Sequence, residues 1–234
     1  MITTVFFDLD GTLLPMDLDE FQQAYMGGLA KKMAPHGYDP KVLLKGISLG
    51  IVAMVGNTGH RTNEEVFWEA FSGCCGRDGQ LDTPIFMEYY HNEFQQLKAL
   101  CGFESAAAET VAELKDRGLR LVLATNPLFP AIATQSRAKW AGLEPDDFEI
   151  VTTYENSCRC KPNPDYYREL LGKLGLKAEE CLMVGNDADE DMVAEEVGMQ
   201  VFLLTPCLIN RHGKDISQWP NGGFGELMDY IRSL

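Results

Sequence analysis

Two aspartates at the end of an apolar segment are the first residues of this chain that are placed to do chemistry. The segment Ile2-Thr3-Thr4-Val5-Phe6-Phe7 is rich in β-branched and aromatic residues, which predicts a buried strand, and Asp8-Leu9-Asp10-Gly11-Thr12 follows it. A strand end holds side chains rigidly, so Asp8 and Asp10 can both be aimed at one reacting centre. Because like charges held close together repel, the pair favours binding of a divalent cation such as Mg²⁺.

A second apolar segment also ends in polar side chains. Leu119-Arg120-Leu121-Val122-Leu123-Ala124 predicts a strand, and Thr125 and Asn126 follow it. A phosphoryl group in transfer carries negative charge on its equatorial oxygens, and short neutral donors at a strand end are suited to bind it. The same pair is common in turns, so this segment alone leaves both interpretations open.

Lys161 is the third candidate, in the segment Cys160-Lys161-Pro162-Asn163-Pro164-Asp165. The apolar spacing of Tyr166, Leu170, Leu171 and Leu174 predicts an amphipathic helix directly after it. Proline at the helix start leaves the preceding lysine on an extended segment, from which its ammonium can reach across a pocket.

A fourth segment ends in acids. Cys181-Leu182-Met183-Val184 predicts a strand, followed by Gly185-Asn186-Asp187-Ala188-Asp189-Glu190-Asp191. Mg²⁺ prefers carboxylate and water oxygens, so we expect Asp187 to bind the metal with Asp191 behind it. The alternative is that Asn186 takes that place through its amide oxygen or a water. Asp189 and Glu190 fit better as charges at a helix N-terminus than as ligands.

The string Phe6-Phe7-Asp8-Leu9-Asp10-Gly11-Thr12-Leu13-Leu14 resembles the first motif of the haloacid dehalogenase superfamily, and the other three segments resemble the motifs that follow it. The resemblance implies that Asp8 attacks phosphorus and that Asp10 is a general acid and base. It also implies that the Thr125 hydroxyl holds the phosphate and that Lys161 neutralises the negative charge of the nucleophile and of the phosphate. The fourth motif departs from the common Gly-Asp, because Asn186 stands between Gly185 and Asp187.

The element pattern predicts two domains. After Glu104, predicted helices (to Arg117, 130–140, 164–174, 189–197) alternate with predicted strands (119–124, 148–153, 181–184, 200–204), and residues 219–223 are expected to form a turn before a last helix. This alternation predicts an α/β fold, a Rossmann-like core with a parallel sheet and helices on both faces. Residues 16–102 show helical periodicity only, in the stretches 18–34, 41–55, 63–71 and 83–100. We therefore expect a core of residues 1–15 and 103–234 and an inserted all-helical cap domain of residues 16–102, as in the helical-cap branch of the superfamily.

Within the predicted cap, a polar loop carries His60 and Arg61. In the branch that the chain resembles, cap loops select the substrate, so Arg61 is expected to bind a second anionic group and His60 a hydroxyl. The alternative is an ordinary polar connection between helices, with an N-cap at Thr62 or Asn63.

Composition restricts the partners. The chain has 35 acidic and 20 basic residues among 234, a formal net charge of −15, which disfavours nucleic acids and anionic membranes as partners. Seven cysteines, an odd number, fit a reduced cytoplasm better than a disulfide framework. The sequence indicates neither a signal peptide nor a membrane-spanning segment, and it does not indicate an oligomeric state.

Together these features predict a cytoplasmic, Mg²⁺-dependent phosphohydrolase that acts on a small soluble phosphomonoester through an aspartyl-phosphate. Three alternatives stay open. A phosphomutase of the same fold would return the phosphoryl group to its substrate. A haloacid dehalogenase-type hydrolase would need no metal, and a catalytically silent module would only bind a phosphorylated metabolite.

Overall fold

The computed structural model describes all residues from Met1 to Leu234, and a parallel sheet of six strands lies at its centre. The strands are β1 (Thr4–Phe7), β2 (Arg120–Leu123), β3 (Ile150–Val151), β4 (Cys181–Gly185), β5 (Gln200–Leu204) and β6 (Asn221–Gly222), in the spatial order β3-β2-β1-β4-β5-β6. In the pairing of β1 with its neighbours, Phe7 lies opposite Leu123 of β2 and Val184 of β4. The segments that follow these three strands therefore begin side by side at one edge of the sheet.

Within residues 16–102, between β1 and β2, the chain forms no strand, only helices. They are α1 (Leu18–Met33), α2 (Pro40–Val55), α3 (Asn63–Cys75) and α4 (Thr83–His91), with 3₁₀ segments at Ala34–His36, Gly79–Asp82 and Glu93–Leu100. The two connections to the sheet run side by side, since Met16 and Cys101 form an antiparallel bridge and the Gly102 N–H donates to the Pro15 carbonyl at 2.7 Å. The insert is helical as expected, and the domain boundaries at residues 16 and 102 stay a prediction.

Helices cover both faces of the sheet. Along each strand, successive side chains point to opposite faces. Val5 and Phe7 belong to a core that includes α5 (Ser105–Asp116), α6 (Ala131–Trp140) and α8 (Phe224–Ser233). Phe6 belongs to the core on the other face, with α7 (Pro164–Leu174) and the 3₁₀ segment Met192–Val197. The predicted α/β class with a Rossmann-like parallel sheet is therefore confirmed.

Three local predictions were wrong. The expected turn at 219–223 contains the short edge strand β6, which pairs with Leu203 and Leu204 of β5. The expected helix at 189–197 is a 3₁₀ segment that starts only at Met192, because the preceding residues turn around the Asp187 carboxylate. The helical stretch expected from Thr83 to Leu100 breaks at Asn92, whose φ of −114° and ψ of −81° are not helical.

None of the helices combines the length and the apolar character that crossing a membrane requires.

Candidate active site

The polar residues that follow the strands meet in one cleft. The Asp8 N–H donates to the Val184 carbonyl at 2.9 Å, and the Ala124 N–H donates to the Phe7 carbonyl at 2.7 Å, so sheet pairing continues up to the site. A cavity of about 220 Å³ lies above this edge. Seven of the predicted site residues border it together: Asp8, Asp10, Thr125, Asn126, Asn186, Asp187 and Asp191.

Lys161 reaches the same point from the segment before α7. Asn163 caps α7 by accepting a hydrogen bond from the Asp165 N–H at 2.9 Å, which fixes where the helix begins. Lys161 lies in a turn that the Asn163 N–H closes on the Cys160 carbonyl at 3.1 Å, and not on the extended segment that was expected. The Lys161 ammonium is fully buried and lies 2.9 Å from Asp8 Oδ1 and 2.6 Å from Asp191 Oδ1. Burial by itself lowers the pKa of Lys161, but the two carboxylates outweigh it and hold the pKa well above the usual value. The side chain is therefore a permanent cation beside Asp8.

The two candidate metal residues of the fourth motif differ in their contacts. Both ends of the Asn186 amide are engaged: Oδ1 accepts from the Thr12 hydroxyl at 2.9 Å, and Nδ2 donates to the Cys207 carbonyl at 2.6 Å. The Asp187 carboxylate accepts the N–H groups of Asp189 and Glu190 through Oδ1 alone. Its Oδ2 has no partner within the protein and is available to a ligand.

Asp191 lies behind Asp187 and contacts both Asp187 and Lys161. It is fully buried, and its Oδ2 accepts a hydrogen bond from the Asp187 N–H at 2.9 Å. Its other oxygen accepts from Lys161. Asp191 therefore positions both residues without needing to contact a ligand itself.

Arg137 is a site residue that the sequence reasoning missed. It lies on α6, whose first N–H, that of Ala131, donates to the Glu155 carboxylate at 2.9 Å. The side chain is fully buried, borders the cleft, and places Nε 3.3 Å from Asp10 Oδ1. Burial raises the pKa of Asp10, and the Arg137 charge opposes that rise. The available signal was a charged residue on the apolar face of α6, in line with Ala133, Thr134 and Ala138.

With this geometry in view, comparison with known proteins identifies the family. Residues 2–198 match the model of the haloacid dehalogenase-like hydrolases. The chain belongs to this family. Among its curated relatives is a phosphoglycolate phosphatase of Yersinia pestis, which is 29% identical over 209 residues, covering 87% of this chain and 81% of the relative.

Solved structures of the family share the fold of this hydrolase. The 2-haloacid dehalogenase of Pseudomonas syringae superposes with a TM-score of 0.64 at 20% identity, over 100% of this chain and 99% of that one. The hydrolase YfnB of Bacillus subtilis, solved with bound magnesium, superposes with a TM-score of 0.55 at 17% identity, over 98% of each chain. The shared fold therefore includes a dehalogenase and a hydrolase that binds magnesium.

In this haloacid dehalogenase-like hydrolase, His60 and Arg61 do not border the cleft. His60 is exposed, and the Arg61 guanidinium is paired with Glu69 and lies 4.0 Å from Glu65. Thr62 and Glu65 form a capping box at the start of α3, which is the ordinary helix connection considered as the alternative. The expectation that His60 and Arg61 bind substrate is not supported by where they lie.

The cap contributes to the cleft through α1 instead. Leu18, Phe21 and Gln22 border it from that helix. The start of α1 is fixed by Asp17, whose carboxylate accepts the N–H groups of Asp19 and Glu20 at 3.0 Å. The cap residues closest to the chemistry therefore come directly after the first connection from the sheet.

The predicted metal ligands are only partly brought together. No three side chains among His, Cys, Asp and Glu form a group that could hold a metal ion, and the Asp10 carboxylate lies 3.3 Å from Nε of Arg137. The donor chemistry of the cleft nevertheless fits a hard cation. Its lining includes six acids, Asp8, Asp10, Asp19, Asp187, Glu190 and Asp191, against two arginines, Arg137 and Arg211. Because Mg²⁺ usually keeps several waters, one or two carboxylates are enough to hold it.

Proposed function

We propose that this hydrolase is a Mg²⁺-dependent phosphatase that acts on a small soluble phosphomonoester through an aspartyl-phosphate. One observation carries the proposal: the buried ammonium of Lys161 lies 2.9 Å from Asp8 Oδ1 beside a cleft that Asp10 and Thr125 also border. A nucleophilic carboxylate, a fixed cation and a neutral donor are the groups that phosphoryl transfer requires. The phosphatase named among the relatives supports the same class of reaction.

In the first step, an Asp8 oxygen attacks phosphorus in line with the ester bond. The bond from phosphorus to the ester oxygen breaks, and Asp10 gives its proton to the departing oxygen. Because burial raises the pKa of Asp10, this carboxyl keeps a proton to higher pH than an exposed aspartate does. Lys161 and Thr125 stabilise the charge on the phosphoryl oxygens during transfer.

In the second step, Asp10 takes a proton from a water molecule that attacks phosphorus. The bond between Asp8 and phosphorus breaks, inorganic phosphate leaves, and Asp8 returns to a carboxylate beside Lys161. The same residue thus acts first as acid and then as base, which requires that it lie close to the leaving ester oxygen in the first step and to the attacking water in the second.

We infer that Asp8 and Asp187 would hold the metal, with Asp191 positioning Asp187 from behind. Asn186 is the weaker candidate because both ends of its amide already bind Thr12 and Cys207. When bound, Mg²⁺ would neutralise negative charge on the oxygens of the phosphoryl group during its transfer.

A dehalogenase is the second candidate, because the fold is shared with an enzyme of that class. Displacement of halide at carbon requires neither Asp10 nor a cation. The acidic lining of the cleft therefore favours the phosphatase.

The experiment is an assay of the purified protein with 4-nitrophenyl phosphate and, separately, with 2-chloropropionate. We expect phosphate release that requires Mg²⁺ and no chloride release. Chloride release without phosphate release would favour the dehalogenase. Binding of the aryl phosphate without turnover would favour the silent module. A mutase would be recognised with a sugar phosphate, whose other hydroxyls can receive the phosphoryl group, by an isomeric phosphoester in place of free phosphate.

A further inference from the structure

Arg137 is a buried cation without hydrogen-bond partners. Its Nε and both Nη atoms are shielded from bulk water, and none of them makes a hydrogen bond within the protein. One face of the guanidinium lies 4.2 Å from the centre of the Phe129 ring. Its one ionic neighbour is Asp10, whose Oδ1 also lacks a hydrogen bond. A buried charge with unpaired donors is costly, so a partner for this guanidinium is expected in the cleft that it borders.

The position of Arg137 indicates which part of a substrate that partner belongs to. Lys161 lies beside Asp8, at the end of the cleft where phosphorus is attacked. Arg137 lies beside Asp10, which protonates the leaving oxygen. The two buried cations therefore flank the two ends of the ester bond, and Arg137 faces the leaving group.

The unpaired donors of Arg137 give a reason for an anion at this place. Asp10 makes no hydrogen bond with the guanidinium, so none of the three Arg137 nitrogens has an acceptor within the protein. An anionic group on the leaving group would supply one. A carboxylate fits best, because its two oxygens match the planar fork of an arginine.

The same contacts limit the size of the leaving group. Asp10 has to reach the ester oxygen and is itself 3.3 Å from Arg137, so the anion lies within a few bonds of that oxygen. Phe21, Leu128 and Phe129 close this part of the cleft with apolar surface. A short two- or three-carbon chain fits these limits.

We propose that Arg137 binds a carboxylate on the leaving group, so that the enzyme selects phosphorylated short-chain 2-hydroxy acids. The proposal rests on the phosphatase function proposed above. It moves substrate selection from the cap loop at His60 and Arg61 to a residue of the core.

The test compares two substrates with the same two carbons, 2-phosphoglycolate and ethyl phosphate, in the wild type and in Arg137→Met. We expect the wild type to have the higher kcat/KM for 2-phosphoglycolate. In Arg137→Met the ratio of the two kcat/KM values should fall about 30- to 1,000-fold, as expected when a buried charge contact is truncated. Arg137→Lys should retain part of the preference for 2-phosphoglycolate, since lysine keeps the positive charge but lacks the planar guanidinium that binds two oxygens at once.

Lys139→Met is the matched control, because Lys139 lies on the same helix and is exposed. It should leave the ratio as in the wild type. An equal loss on both substrates in Arg137→Met would overturn the proposal and assign Arg137 to the positioning of Asp10. A wild-type preference for pyrophosphate that Arg137→Met removes would replace the carboxylate with a second phosphate.

If Arg137→Met does not fold, the same question is answered by binding to Asp8→Asn. Calorimetry should give at least tenfold tighter binding of 2-phosphoglycolate than of ethyl phosphate, and equal affinities would overturn the proposal. Failure of the phosphatase function has a different signature, since the wild type would then release phosphate from neither ester while the binding preference could still be measured.

Discussion

Gly11 and Asn186 pack so closely that no other residue fits at position 11. A Cβ at Gly11 would lie 2.3 Å from Nδ2 of Asn186, and Gly11 has a φ of +84°, which side chains rarely adopt. The contact joins the turn after β1 to the turn after β4. The asparagine that departs from the usual fourth motif therefore has a structural use, since it connects the two loops that carry Asp8 and Asp187.

We expect Gly11→Ala to lower the free energy of unfolding by about 1–3 kcal/mol and to reduce activity, because the turn has to move away from Asn186. Gly118→Ala is the control: Gly118 also has a positive φ, +79°, but nothing lies within 4 Å of its added Cβ. We expect Gly118→Ala to lower the free energy of unfolding only through its strained backbone and to leave the activity normal. Urea unfolding measures both, and equal destabilisation by the two variants would contradict the role of the contact.

Asp8→Asn should lower kcat at least about 1,000-fold while the protein still folds, because an amide of the same shape cannot act as the nucleophile. Phosphate release from 4-nitrophenyl phosphate measures the loss, and thermal unfolding checks the fold. The exposed Asp116, at the end of α5, provides the control variant Asp116→Asn, for which we expect no loss. Substantial turnover by Asp8→Asn would refute the mechanism.

The effect of Asp10→Asn should depend on the leaving group. An alkyl phosphate releases a strongly basic oxygen that needs a proton, whereas 4-nitrophenolate leaves without one. We therefore expect the first step to slow by about 10²- to 10⁴-fold for ethyl phosphate and by much less for 4-nitrophenyl phosphate. Single-turnover measurements isolate that step. The same loss for both esters would mean that another group supplies the proton.

Asp187→Ala should raise the Mg²⁺ concentration that gives half-maximal rate by more than about tenfold, because it removes a free carboxylate oxygen from the cleft. Asn186→Ala should act mainly on stability, since its amide binds Thr12 and Cys207. Titration of activity with Mg²⁺, together with urea unfolding, separates the two effects. The reverse pattern would identify Asn186 as the metal-facing residue.

Arg61→Ala should change kcat/KM by less than about twofold on every phosphoester and should leave the midpoint of urea unfolding close to that of the wild type. The side chain is 47% exposed and contacts Glu65 and Glu69 of the following helix α3, and exposed ion pairs contribute little to stability. A selective loss on one natural phosphoester would instead restore the cap loop as the specificity element.

The sequence determined the fold class and the chemistry of the strand ends. Three apolar segments that end in polar residues, at Asp8, Thr125 and Asn186, are local patterns that need no knowledge of packing. The same holds for the lysine and two prolines that precede α7, at Lys161, Pro162 and Pro164. In a parallel sheet the strands end at one edge, so side chains far apart in the chain must meet there. That rule is why the meeting of Asp8 with Thr125 and Asp187 could be predicted before any contact was known.

The tertiary structure decided what each polar group contacts. Arg137 lies on a helix with no motif around it, and only the packing of α6 against the sheet brings its guanidinium to Asp10. The same is true of Asn186, which accepts a hydrogen bond from Thr12, and of Arg61, which pairs with Glu69 outside the cleft. Strand β6 exists because the edge of β5 accepts it. A local pattern in the sequence shows whether a segment is a helix or a strand. Which side chains from distant segments contact each other depends on the distances between those elements, and these distances are set only when the whole core packs.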